Sequence, residues 1–251
     1  MSEAVPAFHY DPAVGTEGLL APRRDIDALA ATFAQRRRVI VPDLLERGFA
    51  DALHACLRDW REWALVTRVA GVHRNFDAAQ MDMIDPARRA ELDELIGVEA
   101  RAGFQYLYER YPLADPDYTG VPPDPRALAM QQLLVGGAFV ALARRVTGFA
   151  RIRFADGQMT RYRRGHYLTQ HDDHADGKQR LAAYVLSLSR DWSADHGGQL
   201  QFIAADGGVD EVVMPRFNTL ALFEVPVPHL VTSVAPFVQA SRLSITGWLR
   251  Y

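Results

Sequence analysis

The stretch HDDHAD, His171 to Asp176, sets two histidines and three aspartates in six residues beside an apolar run. Such residues hold divalent metals, and they also collect in solvated loops. Spacing separates the two readings. On a strand, side chains at i and i+2 face the same way. His171 and Asp173 would then point together, while Asp172 points elsewhere. One distant histidine would complete a facial set of two imidazoles and one carboxylate, which binds Fe(II) and leaves positions open for substrates and oxygen.

The His-x-Asp pair occurs three times: His9/Asp11, His171/Asp173 and His174/Asp176. The first lies in a terminal segment, and the last runs into ADGK, a turn signal. Only His171/Asp173 follows a strand-like lead, YRRGHYLTQ. Among the other histidines, His229 opens HLVTSV directly after the strand pattern NTLALFEV. In a barrel, a late strand can return beside an early one. From spacing alone, His229 is either the third ligand or a loop histidine. Arg242 heads RLSITGW. An arginine fork matches a buried carboxylate bidentately, although a strand-start arginine can equally be a surface residue.

The bulk numbers are those of an ordinary soluble globule. The chain has 251 residues, 49% hydrophobic and 24% charged, with a net charge of −3. That charge lacks the basic excess of a nucleic-acid footprint, so no direct nucleic-acid binding is expected. The single cysteine, Cys56, excludes an internal disulfide framework and a thiolate-rich cluster. No apolar run reaches the roughly 20 residues that span a bilayer, and no membrane association is expected. The N-terminus shows no secretory pattern. These features set a reducing cytoplasm as the expected location. Nothing in the sequence speaks to oligomeric state.

The elements that must position these residues change type partway. Residues 1–148 read as a mostly helical supporting part. RRDIDALAATFAQRRR is a helix with Ile26, Leu29 and Phe33 on one face, and VIVPDLL is a short strand. Asp43 is the expected cap of the next helix, whose face carries Phe49, Leu53, Leu57 and Trp60. EWALVTRVAG reads as a strand. A helix is expected from Asp85-Pro86 up to Pro112, with Phe104, Leu107, Tyr108 and Tyr111 along one side. Another starts at Asp124-Pro125, breaks at Gly136-Gly137 and ends at Gly148. ADPDYTGVPPDP between them is a surface loop. Residues 149–251 read as short strands separated by turns, the pattern of a sandwich or barrel.

With these pieces in order, the chain resembles the Fe(II)/2-oxoglutarate-dependent oxygenases, specifically the prolyl-hydroxylase branch. The likeness is strongest to the catalytic domain of the ribosomal-protein prolyl hydroxylases. It rests on Tyr162 in RYRRGHY, HDD at 171–173, a loop ending in Arg180, a strand leading to Trp192, GGQLQF from Gly197, HLVTSV and RLSITGW. It spans roughly 90 residues of the C-terminal part. LLVGGAFVALARRVTG resembles the helix before that domain.

The resemblance implies an α+β chain forming a single oxygenase domain over 1–251. Its core would be a double-stranded β-helix, a cupin-like jelly roll, flanked by N-terminal helices. It implies Fe(2+) held by His171, Asp173 and His229. It implies 2-oxoglutarate as co-substrate, with Arg242 on its C5 carboxylate, Tyr162 hydrogen-bonded to it, and Thr246 and Trp248 lining its pocket. O2 is the second co-substrate, and ascorbate a possible reductant. Where the family often has a tyrosine that touches the C5 carboxylate, this chain has Ser187. Arg242 would then carry more of the anchoring. Eukaryotic members of the ribosomal-protein branch carry a second jelly roll, and this chain ends just after the first.

The implied reaction hydroxylates a C–H bond, releasing succinate and CO2, with a prolyl residue of a protein, such as a ribosomal protein, as acceptor. Two other readings stay open: a hydroxylase of a small molecule such as a free amino acid, and a non-catalytic jelly-roll binding module. VHRNFDAAQMDMID, 72–85, is expected to be either a loop over the mouth of the site or a plain surface connection. Arg161, Arg163 and Arg164 form either a solvated face or a surface for an acidic partner.

Overall fold

Proline and aspartate punctuate the helices as the sequence predicts. The structure is a computed structural model describing residues 15–115, 120–175 and 177–251. Helix α1 is Ile26–Arg36, and it buries Ile26, Leu29 and Phe33. Helix α2, Arg47–Asp59, is capped by Glu46, whose carboxylate accepts from Phe49 N, and not by Asp43. Glu46 stands immediately before the first helical residue, where a side chain can reach the free N–H groups. The short helix α3 is Ala78–Asp82. Helix α4, Pro86–Ala102, starts with Asp85 accepting from Ala87 N and Arg88 N. Helices α5, Pro125–Val135, and α6, Gly137–Thr147, bend by 49° at the glycine pair. Gly148 closes α6 in the left-handed region. Among the described residues no single helix is long and apolar enough to cross a membrane.

The strands are β1 (Arg38–Val41), β2 (Ala64–Val69), β3 (Val72–Asp77), β4 (Tyr106–Ala114), β5 (Phe154–Ala155) and β6 (Gly157–Tyr162). They continue with β7 (Tyr167–His171), β8 (Arg180–Ser187), β9 (Leu200–Ile203), β10 (Val209–Val213), β11 (Thr219–Glu224), β12 (His229–Val231) and β13 (Arg242–Arg250). They form one curled antiparallel sheet in the order β1-β11-β8-β13-β6-β4-β7-β12-β9-β10, with the β2–β3 hairpin joined to β4 and β5 joined to β13. The curl brings β7, β12, β9 and β10 over the other strands. This is the double-stranded β-helix.

Strand alternation divides the sheet into an outer and an inner face. Met159, Leu186, Leu222 and Ile245 point outward into the large core shared with the helices. Arg242, Ser244, Thr246 and Trp248 of β13 point inward with Tyr162, Thr160 and Gln158 of β6. The helices thus cover one face and leave the other to line an interior.

Three expectations need correction. The first part of the chain is mostly helical, but it also gives four strands to the sheet. The helix expected up to Pro112 ends at Ala102, and Tyr106–Ala114 is strand β4. Gly103 breaks the helix, and FQYLYERYPLA then alternates with period two: Leu107, Glu109, Tyr111 and Leu113 are all buried. The segment 72–85 is neither open loop nor plain connection. It is edge strand β3 followed by α3, with Asp77 accepting from Gln80 N. The pair His9/Asp11 and residue Asp176 lie outside the described residues, as does part of the proline-rich segment.

Candidate active site

The inward face encloses a cavity of about 540 Å³. At one side lie His171, Asp173 and His229, whose candidate ligand atoms all fall within 4.8 Å of one another. His171 ends β7 and His229 opens β12, and the two are direct partners in the antiparallel ladder. Their rings stand 4.1 Å apart. The Asp173 carboxylate bridges them: Oδ1 is 3.5 Å from His171 Nε2, and Oδ2 is 3.4 Å from His229 Nε2.

Asp173 reaches this place by a route that alternation does not describe. Strand β7 stops at His171. Asp173 lies beyond it with φ at 62°, in the left-handed region. The carboxylate turns toward His171 because the chain folds over, not because two strand residues share a face. Asp172 stabilises the turn by accepting from His174 N at 2.9 Å.

Hydrogen bonds fix the tautomers. His171 Nδ1 is 3.0 Å from Thr169 O, and His229 Nδ1 is 2.8 Å from Val227 O. A carbonyl can only accept, so each Nδ1 carries the proton and each Nε2 presents its lone pair to the cluster. Burial, then the neighbouring His171, lowers the pKa of His229 to about 4, so its ring is neutral near pH 7. Burial pushes Asp173 upward, but its interactions with the two flanking imidazoles and with the Arg180 guanidinium outweigh it. Its carboxyl stays below the ordinary value. Two imidazoles and one carboxylate on the same side of a cavity fit a divalent ion with open coordination positions.

Arg242 lines the same cavity. It is 2% exposed and heads β13. Its guanidinium lies 5.0 Å from the centre of the Tyr162 ring, and Nη1 donates to Ser244 Oγ at 3.4 Å. Its Nε is buried with no partner, and no carboxylate pairs with it among the described residues. A buried, unneutralised guanidinium is costly and calls for an anionic ligand. Tyr162 stacks on Tyr108 at 5.1 Å, and burial raises its pKa. Thr246 and Trp248 line the cavity as well. Ser187 does not. It faces inward behind Arg242, beside a small separate void shared with Thr219. The position where a tyrosine would reach the cavity is thus left without a direct contact.

The opposite wall comes from the first part of the chain. Phe104, Tyr106 and Tyr108 line it, with His73 of β3 hydrogen-bonded through Nδ1 to Tyr106 Oη. Treating this stretch as a helix hides these residues. The alternation of FQYLYERY was the signal that would have placed them. The basic run near the site is paired within the chain: Arg161 with Glu109, and Arg163 with Glu109 and Asp82. Only Arg164 of the three is exposed.

Comparison with known proteins agrees with this geometry. Residues 157–250 match the family model described as the 2OG-Fe(II) oxygenase superfamily. The prolyl 3-hydroxylase OGFOD1 of Xenopus laevis is 38% identical over 85 residues, covering 31% of this chain and 16% of that protein. The Mus musculus prolyl 3-hydroxylase OGFOD1 is 30% identical over 131 residues, covering 50% of this chain and 24% of that protein. The match therefore spans a quarter or less of either relative's length. Among solved structures, a Pseudomonas putida prolyl-4-hydroxylase superposes with a TM-score of 0.56 at 22% identity, covering 90% of this chain and 98% of that one. A Trichoplax adhaerens prolyl hydroxylase, solved with a peptide fragment of the hypoxia inducible factor oxygen degradation domain, gives 0.60 at 16% identity, covering 90% and 89%. At such identities these structures share the fold. Residues 157–250, which carry the three converging side chains and the buried arginine, are the part of this chain that is similar to the 2OG-Fe(II) oxygenase superfamily.

Proposed function

We propose that this chain is an Fe(II)- and 2-oxoglutarate-dependent dioxygenase that hydroxylates a prolyl residue of a protein. One observation carries the reading. A single cavity holds both the His171, Asp173 and His229 cluster and the guanidinium of Arg242, which has no counter-ion among the described residues. A metal chelated by a dicarboxylic acid would satisfy both ends at once.

His171, Asp173 and His229 would hold the metal. Bound Fe(II) with 2-oxoglutarate couples O2 to oxidation of a substrate C–H bond, giving the alcohol, succinate and CO2. The protein supplies geometry and charge. The carbonyls of Thr169 and Val227 keep both imidazole lone pairs on the cluster. Asp173, ionised, contributes the one protein negative charge there. Arg242 anchors the distal carboxylate, and Tyr162 and Thr246 flank it. The aromatic wall of Phe104, Tyr106 and Tyr108 faces the acceptor and limits water. Ascorbate as reductant, a cytoplasmic location and a ribosomal protein as acceptor form the finer part of the proposal. They rest on the resemblance to the ribosomal-protein branch.

The test is direct. Purified protein with Fe(II), ascorbate and 2-oxoglutarate should release succinate above a His171→Ala control. Mass spectrometry of cell proteins should show one added oxygen on proline only with active enzyme. Succinate release stimulated by free amino acids, with no oxidised protein, would favour a small-molecule acceptor. No succinate under any of these conditions would leave a binding module.

A further inference from the structure

Asp173 needs a support that strand pairing does not give it. It is the only member of the cluster outside a strand, and its backbone is left-handed at φ 62°. Non-glycine residues hold that conformation at a cost and keep it where surrounding contacts over-determine it. Among the described residues, two hydrogen bonds act on the backbone of the turn. Asp172 accepting from His174 N is local, and it would travel with the turn if the loop shifted. The second ties the turn to the sheet: Arg180 Nη1 donates to Asp173 O at 2.9 Å.

Arg180 is itself fixed. It is the first residue of β8, opposite Arg250 of β13. Its guanidinium carbon lies 3.5 Å from the centre of the Trp248 ring, and a planar group so stacked has a defined orientation. Among the described residues no side-chain carboxylate forms an ion pair with it, and its Nε is buried without a partner. Its directed bond therefore goes to the Asp173 backbone, not to a neutralising acid.

We infer that Arg180 is a positioning residue for the metal site: stacked on Trp248, it holds the left-handed turn that aims the Asp173 carboxylate between His171 and His229. The inference rests on the metal-site reading above. It adds that the affinity of the cluster depends on a side chain that touches no metal.

Titration of the apoprotein with Mn(II), followed by the electron paramagnetic resonance of the free ion, tests it without turnover. The variants are Arg180→Met, Arg180→Lys and, as a control, Arg144→Met. Arg144 likewise donates to a backbone carbonyl, Ile152 O at 2.6 Å, but does not line the cavity. Outer-shell changes typically weaken metal binding roughly 10–100-fold. Arg180→Met should fall in that range, Arg180→Lys should recover part of the loss, and Arg144→Met should bind like wild type. Arg180→Met binding within about twofold of wild type, well outside that range, overturns the inference while the metal site stands. Wild type failing to bind Mn(II) overturns both. Thermal unfolding of each apoprotein checks the fold. Should Arg180→Met not fold, Arg180→Gln takes its place with the same two outcomes.

Discussion

His171 and His229 stand opposite each other across the β7–β12 ladder, each with Nδ1 turned to a backbone carbonyl and Nε2 turned to the other's side of Asp173. The ladder fixes their separation, and the two carbonyls fix their orientation. Both lone pairs are therefore ready before any metal arrives, which removes an ordering cost from binding.

Removal of any one ligand should end turnover. His171→Ala, Asp173→Ala and His229→Ala should each weaken Mn(II) binding by more than the roughly 10–100-fold of outer-shell changes. Succinate release should drop to the level of a no-enzyme blank. Retained activity in Asp173→Ala would contradict the proposed ligand set.

Arg242→Met should separate affinity from stability. Losing one partner of a buried, hydrogen-bonded charge pair costs about 2–5 kcal/mol, so the KM for 2-oxoglutarate should rise about 30-fold or more. The apoprotein should be as stable as wild type or more so, because the variant no longer buries a guanidinium that lacks a carboxylate partner among the described residues. Urea midpoints without co-substrate and succinate kinetics read the two effects.

Gly198 should be sensitive through Arg242. It has φ of +62°, and a Cβ there would lie 3.0 Å from Arg242 Cδ and 3.2 Å from Val234 Cγ2. Gly198→Ala should raise the KM for 2-oxoglutarate and cost about 1–3 kcal/mol of stability. Gly197→Ala should be worse, since its Cβ would meet Ser233 O at 2.0 Å. Expression and denaturant unfolding test the order of the two.

Tyr106→Ala should act on the acceptor side. Tyr106 lines the wall away from Arg242's strand, beside Phe104, which is 41% exposed. The KM for a prolyl peptide substrate should rise while the KM for 2-oxoglutarate stays within about twofold, since each contact adds only its own local energy. Equal rises in both would place Tyr106 with the co-substrate.

His166 should leave a mark in pH-dependent stability. Burial, then the charge of Arg163, lowers its pKa to about 3. Below pH 6.5 the unfolded chain binds a proton that the folded chain refuses until about pH 3. Stability from this group is complete above pH 6.5 and is lost as pH falls through that window, by up to about 1.4 kcal/mol per pH unit. Asp156, raised by burial to about 6, works the other way between 3.8 and 6. The stability difference between wild type and His166→Gln isolates the histidine: it should increase with pH across the window, and a flat difference would contradict the buried neutral ring.

Much of the site was legible in the sequence. Type and spacing single out His171 and Asp173, the ordered resemblance adds His229 and Arg242, and all four line one cavity. Helix starts at Asp85 and Asp124 were equally readable, because capping is local chemistry. What lay beyond reach was non-local. Tyr106 and Tyr108 face the cavity only because β4 pairs with β2, β6 and β7, and its partners lie far along the chain. Strand alternation predicts the aim of Asp173, but its backbone lies in a left-handed turn beyond the strand end, where Arg180 donates to its carbonyl. The sequence by itself determined the chemistry available to this protein, since side-chain identity fixes donors, charges and caps. The tertiary structure alone decided which of them meet, because a ladder register, a turn beyond a strand end and a buried unpaired charge exist only once distant segments are packed together.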